Sequence, residues 1–357
     1  MAINMLKSIY RRPAFTKEDT LLFKGIGILL IVFHNFFHWV TPYTGENEFD
    51  FQLSRVNNFF NGIAGDPLEI INLFFSYFGH YGVQIFFFFS GYGLMRAYGN
   101  KSLNYSSFIG SRLKKLYPVY IIAIILFILY NLLVFGRSMN LIYFRDIFLQ
   151  LTFLNNFVPG FIFRLNGPWW FYSVIVQLYL VFPLLTSIHK KYQQYGLYII
   201  FFIWIILNAV WYEPLLAAGI NPYYTFAGHL PVFVLGLIWA RQKQLSLNIP
   251  VMLLATVIFV LGNYYQVFWY FSQAAVVILL VNMITFWPQK AKIKGIGLKT
   301  TIFYGSISMY LFAVHGFLRK PIVNWANGSN NAWISILLAI LFLLFETLVA
   351  IGKKKLE

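Results

Sequence analysis

Two histidines, His34 and His38, stand one helical turn apart in the apolar stretch KGIGILLIVFHNFFHWV, with Asn35 beside them. At i and i+4 they share a face of any helix this segment forms. Polar groups inside an apolar span are costly enough to point to function. A neutral imidazole can take a proton from a hydroxyl and return it to a leaving group, which suits acyl transfer. His34 is therefore the candidate catalytic base, and His38 and Asn35 are candidate substrate-binding neighbours. His315, in SISMYLFAVHGFL, lies at a matching depth of a later stretch, about 20 Å from its start at 1.5 Å per residue, so two helices could bring these rings together. Intramembrane histidines can also do no more than hydrogen-bond across a bundle. Three imidazoles could ligate a metal, but no carboxylate lies at their depth, and no metal is expected. His80 and His229, near the ends of their stretches, read as wetted structural residues, and Glu346 as an acid paired with a snorkelling lysine or arginine.

A second kind of chemistry is offered by GSRLKKLYPVY, where Arg112, Lys114 and Lys115 gather in a basic loop behind Arg96 and Lys101. Such a cluster could hold the phosphates of an activated donor, although basic residues there are also what membrane topology demands. Ser173 and Gln177, within PWWFYSVIVQLYLVFPLL, put small polar side chains where a cavity wall or close helix packing would want them. The chain has no cysteine, which rules out disulfides, thiolate metal sites and a cysteine nucleophile.

The elements that must position these residues are membrane helices. Of 357 residues 59% are hydrophobic and only 11% charged, against about 25% in a soluble domain. Apolar runs of about 20 residues, each long enough to cross a hydrocarbon core, recur throughout. The expected fold is an all-α polytopic membrane protein, a bundle of about ten transmembrane helices near 21–40, 81–97, 116–135, 169–188, 195–212, 224–240, 248–264, 267–286, 301–318 and 332–352, treated as one domain over residues 1–357. The N-terminus has basic residues but no cleavable signal pattern. The surplus of 27 basic over 11 acidic residues could suggest nucleic acid, but its distribution excludes that explanation. With both termini cytoplasmic, the inner segments hold Lys7, Arg11, Arg12, Lys17, Lys101, Lys190, Lys191, Arg241, Lys243, Lys290, Lys292, Lys294, Lys299 and the Lys353–Lys355 run, besides the cluster at 112–115 and Arg96. Only Arg55, Arg137, Arg145, Arg164, Arg319 and Lys320 fall outside, while Lys24 opens the first span. This is the positive-inside pattern. Segments 41–80 and 137–168 then face outward, the second as outer-leaflet helices that wall a cleft.

These residues also resemble a known family. KGIGILLIVFHNFFH, YGVQIFFFFSGYGLM, SFIGSRLKKLYPVY, WWFYSVIVQLYLVFPLL, HLPVFVLGLIWAR and SISMYLFAVHGFL are similar, in this order, to segments of the integral-membrane acyltransferase family 3, which includes bacterial polysaccharide O-acetyltransferases. The resemblance spans most of residues 20–320. It implies a multi-pass protein of the cytoplasmic (inner) membrane that takes an acyl group, usually acetyl from acetyl-CoA, and delivers it to a hydroxyl of an extracytoplasmic glycan or glycolipid, among membrane lipids. On it, Arg112, Lys114, Lys115 and Lys24 would bind the acetyl-CoA co-substrate, His34 would act on the acceptor, and His38, Asn35, His315, Ser173 and Gln177 would bind it. This chain departs from the family pattern in opening the first span with Lys24 rather than Arg, in spacing Lys24 and His34 ten apart rather than eleven, and in carrying Ile175 where the family often has Glu. No appended periplasmic hydrolase-like domain is expected. The rival class is a transporter of a lipid-linked sugar or small solute with the histidines as proton relay; few mid-membrane acids and no visible repeat speak against it.

Overall fold

The computed structural model describes residues 11–12, 14–42, 45–137, 140–242, 244–246, 248–285 and 295–355; Lys7, Lys243, Lys290, Lys292 and Lys294 lie outside them. Among the described residues every regular element is helical except a two-residue antiparallel pair, Arg11–Arg12 (β1) with Leu245–Ser246 (β2). The helices that carry the site are α1 (Lys17–Phe37), α2 (Leu53–Gly65), α3 (Ile70–Phe78), α4 (Gly82–Tyr98), α5 (Tyr105–Phe135) and α6 (Leu141–Leu151). They continue with α7 (Trp170–Ala217), α8 (Phe226–Ala240), α9 (Ile249–Gly262), α10 (Gln266–Thr285), α11 (Ile296–Val314), α12 (Lys320–Ser329) and α13 (Ala332–Lys355). One buried apolar cluster runs from Phe15 to Ala350. Five helical stretches are long and apolar enough to cross a membrane, those within Lys17–Phe37, Tyr105–Phe135, Gly167–Ala217, Gln266–Met283 and Ala332–Gly352; Phe226–Ala240 and Ile249–Gly262 are apolar but shorter. The chain is therefore helical and membrane-spanning by composition.

Each expected span is matched by a helix, with informative differences. α1 begins at Lys17 rather than 21 because Thr16 caps it: its hydroxyl accepts from the Asp19 N–H (3.1 Å) while the Asp19 carboxylate accepts from the Thr16 N–H (2.8 Å). The expected basic loop before 116 is helix instead. α5 starts at Tyr105, capped by Asn104, which accepts from the Ser107 N–H at 3.0 Å. Arg112, Lys114 and Lys115 thus project from its first three turns. The two spans expected at 169–188 and 195–212 form one helical run interrupted at Gln193 (φ 56°, ψ −147°).

α1 is held by unusually close backbone approach on two sides. A Cβ on Gly25 would run into the Thr301 carbonyl of α11, and one on Gly305 into the Leu21 carbonyl of α1. On the other side a Cβ on Gly79, in the turn before α4, would stand 2.6 Å from the His34 Cβ and 2.8 Å from the Leu30 carbonyl oxygen. In lipid, where apolar contact with a neighbouring helix is no better than with a chain of methylenes, small residues that let helices interlock supply the packing. Gly305→Ala should therefore destabilise the chain in detergent by about 1–3 kcal/mol of overpacking, read as a lower thermal midpoint. Gly297→Ala on the same helix, with open space around it, should leave that midpoint unchanged.

Candidate active site

α1, α5, α11 and α12 meet around a cavity of about 790 Å³, walled also by residues 46, 48 and 49 and by residues 163, 165–168 and 170. His34, Asn35, His38, Trp39, Glu46 and Glu48 line it. The 137–168 segment contributes Arg137, Phe163, Leu165, Asn166, Gly167 and Pro168, so its two ends wall a cleft, whereas its helix α6, expected there, lines none of it.

His34 is buried, and its Nδ1–H donates to the Phe75 carbonyl in α3 at 3.1 Å. A carbonyl can only accept, so the proton sits on Nδ1 and the Nε2 lone pair is left free. The His34 ring lies 5.4 Å from that of His38 and 5.8 Å from that of His80. One turn on, His38 Nδ1 stands 2.7 Å from Glu46 Oε2. The sequence shows no carboxylate at the depth of the histidines; Glu46 reaches them because its loop folds back over the bundle. Trp269 Nε1 donates to the Asn47 carbonyl (2.7 Å), and Asn221 Nδ2 (2.9 Å) and Tyr212 OH (3.1 Å) to that of Phe49. Arg55 donates to the Glu46 carbonyl (2.6 Å) and pairs with Asp50 (3.0 Å). Ring nitrogens of His34 and His38 and the Glu46 carboxylate lie within 4.8 Å of one another, a set of donors that could also hold a divalent cation.

The other expected site residues fall into two groups. Asn35 lines the cavity, where its Oδ1 accepts from Arg319 Nη1 at 3.0 Å. His315 is buried just behind the wall formed by its helix neighbours Phe312 and Gly316, and its Nδ1–H donates to the Phe312 carbonyl at 2.9 Å. Ser173 and Gln177 lie off the cavity wall. The Ser173 hydroxyl donates to Asn155 Oδ1 (2.6 Å) and Gln177 Oε1 accepts from the Phe226 N–H (2.9 Å), so both tie α7 to its neighbours. Arg112 stacks on Tyr98 and donates to its hydroxyl (2.9 Å), while Lys114 and Lys115 are exposed. Lys190 Nζ reaches the Lys101 carbonyl (2.6 Å) and Arg241 Nη1 reaches Asn100 Oδ1 (2.8 Å), so further cations converge on the same α4–α5 turn. Lys24 lies about three helical turns from His34, toward this basic end.

Several roles were not legible beforehand. His80 and His229 are not wetted: both are buried, His80 beside His34 and His229 donating from Nε2 to the Tyr223 carbonyl at 2.9 Å. Glu346 is buried too, and the charge acting on it is that of an arginine, Arg319, one of the two partner types expected for it. Glu46 follows His38 by eight residues and Arg319 follows His315 by four, but both lie beyond the ends of apolar spans, and nothing in the sequence showed that they meet the site.

A family model described as an acyltransferase domain matches residues 22–351. The chain belongs to acyltransferase family 3. No curated protein and no solved structure matches it. Membership makes acyl transfer the chemistry of the chain and sets the transporter reading aside.

Glu48 supplies a test of the loop that carries Glu46. Burial, and then the charge of Glu46, push its carboxyl well above the usual carboxylate range. An acid with a raised folded pKa stays protonated in the fold while the unfolded chain ionises, so it costs stability increasingly as pH rises above the unfolded value of about 4.3. Glu48→Gln should raise the thermal midpoint, more at pH 8 than at pH 5, measured by fluorescence melting of the detergent-solubilised chain.

Proposed function

We propose that the protein is a membrane-bound O-acyltransferase that moves an acyl group, acetyl from acetyl-CoA on the cytoplasmic side, to a hydroxyl of an extracytoplasmic glycan or glycolipid precursor at the cell surface. The observation that carries this reading is the His34 ring in the cavity wall, fixed by the Phe75 carbonyl with its Nε2 lone pair free. In this reading about ten spans place both termini in the cytoplasm, the basic α4–α5 end faces the donor, and the cavity opens outward. Arg112, Lys114 and Lys115, with Lys24 deeper in the bundle, bind the CoA phosphates. The acceptor hydroxyl enters beside Asn35 and His38. Its proton passes to His34 Nε2, its oxygen bonds to the thioester carbonyl carbon, the C–S bond breaks, and the proton returns to the leaving thiolate. His38, whose Nδ1 stands 2.7 Å from the Glu46 carboxylate, holds the acceptor, and His315 orients the wall behind it. The three donors His34, His38 and Glu46 act here without a metal ion.

His34→Ala should lower transfer by about 10²- to 10⁴-fold while acetyl-CoA binding, followed by calorimetry, is unchanged. His38→Ala should cost much less, and incubation with a chelator should leave wild-type turnover intact. Full acetylation by His34→Ala would overturn the base assignment, and inactivation by the chelator would turn the triad into a metal centre.

At the donor end, Arg112→Gln with Lys115→Gln should weaken acetyl-CoA binding by about 1.5–3 kcal/mol for each phosphate contact removed, with an unaltered melting profile. An unchanged affinity would leave these residues as topology markers.

A further inference from the structure

Six basic residues break the charge rule by falling at the cavity end of the bundle: Arg55, Arg137, Arg145, Arg164, Arg319 and Lys320. The structure divides them in two. Arg55 pairs with Asp50 (3.0 Å), and Arg145 (3.3 Å) and Arg164 (3.0 Å) both pair with Asp146; none of these three lines the cavity. Arg137, Arg319 and Lys320 all line it, and among the described residues none of them is ion-paired. Arg137 and Lys320 flank one ring, Phe135, at 5.8 Å and 5.6 Å from its centroid. Arg319 is held over Trp39 (5.2 Å) and by Asn35. Lys320 also opens α12, whose first N–H groups add to the positive potential there. A neutral donor points to the same need: Asn166 is 4% exposed, lines the cavity, and its Nδ2 has no acceptor. Buried donors without partners are costly unless a ligand meets them. Of the carboxylates that line the cavity, Glu46 stands 2.7 Å from His38, and among the described residues neither it nor Glu48 pairs with these cations; the buried Glu346, off the cavity wall, acts on Arg319 alone.

We propose that Arg137, Arg319, Lys320 and Asn166 form an oxyanion subsite, and that the acceptor glycan carries an acidic group, a carboxylate or a phosphate, that binds there while its hydroxyl meets His34. Naming the occupant as acceptor rests on the acyl-transfer reading; the subsite itself does not. Charge-assisted, multiply donated contacts of this kind hold carboxylate and phosphate alike, and they would set the register of the sugar before chemistry.

The cysteine-free chain allows a test that needs no turnover. Asn324→Cys places a single thiol at the cavity lining, and its rate of labelling by a maleimide is followed with glucuronate, glucose 1-phosphate or glucose added at matched ionic strength. The acidic sugars should protect at concentrations about tenfold or more below those needed for glucose, protection by glucuronate assigning a carboxylate and by glucose 1-phosphate a phosphate. Arg137→Gln with Lys320→Gln should abolish the difference, and Arg137→Lys alone should retain it in a chain of the same melting profile. Equal protection by glucose, no protection by either acid, protection that survives the double substitution, or a thiol at 324 that does not label would each overturn the subsite. A chain that shows acid-specific protection yet transfers no acyl group would instead overturn the acyl-transfer reading and leave the subsite standing.

Discussion

The close approach of α1 to its neighbours governs the rest of the molecule. Glycines on both sides, Gly25 of α1 and Gly305 of α11 between those two helices and Gly79 against the His34 backbone, let the helix sink until main chain meets main chain. In a membrane this matters more than in water, because apolar side chains gain little by leaving lipid for protein and shape-matched contact must hold the helices. Once α1 is seated, His34 can only face the Phe75 carbonyl and the cavity. The same hydrogen bond that stabilises the buried ring also fixes its tautomer.

Around that fixed ring the polar features of the site are supplied by segments that are not spans. The loop carrying Glu46 is held through its backbone carbonyls, which accept from Trp269, Asn221 and Tyr212 on three other elements. Backbone away from helices is tolerated at depth only when such partners exist or a watery cavity lies beside it, and here the partners are present. α12 is tied back by Asn327, which accepts from the Thr41 N–H (2.8 Å) and donates to the Trp39 carbonyl (2.9 Å). The result is a cavity whose histidine–carboxylate part comes from one stretch near residue 40 and whose cationic part comes from segments near residues 137 and 320.

The sequence by itself determined what depends on local patterning. Hydrophobic runs of membrane length located most helix ends to within a few residues, with the start of α5 the main exception, because an apolar segment in lipid must satisfy its own backbone. Where boundaries moved, capping was the cause: Thr16 with Asp19 and Asn104 extended α1 and α5 beyond their apolar cores, carrying the basic cluster at 112–115 into a helix. The i, i+4 spacing of His34 and His38 placed both on one face, and the cavity lies on that face. Only the tertiary structure decided which polar groups meet across the bundle. The partnership of His38 with Glu46, the burial of His80 against His34 and the retreat of Ser173 and Gln177 into helix packing depend on how loops fold over helix ends. So does the split of the exceptional cations into paired and cavity-facing sets. Periodicity along one helix fixes which side a residue takes, but the partner it finds there is set by interlocking backbones distant in sequence.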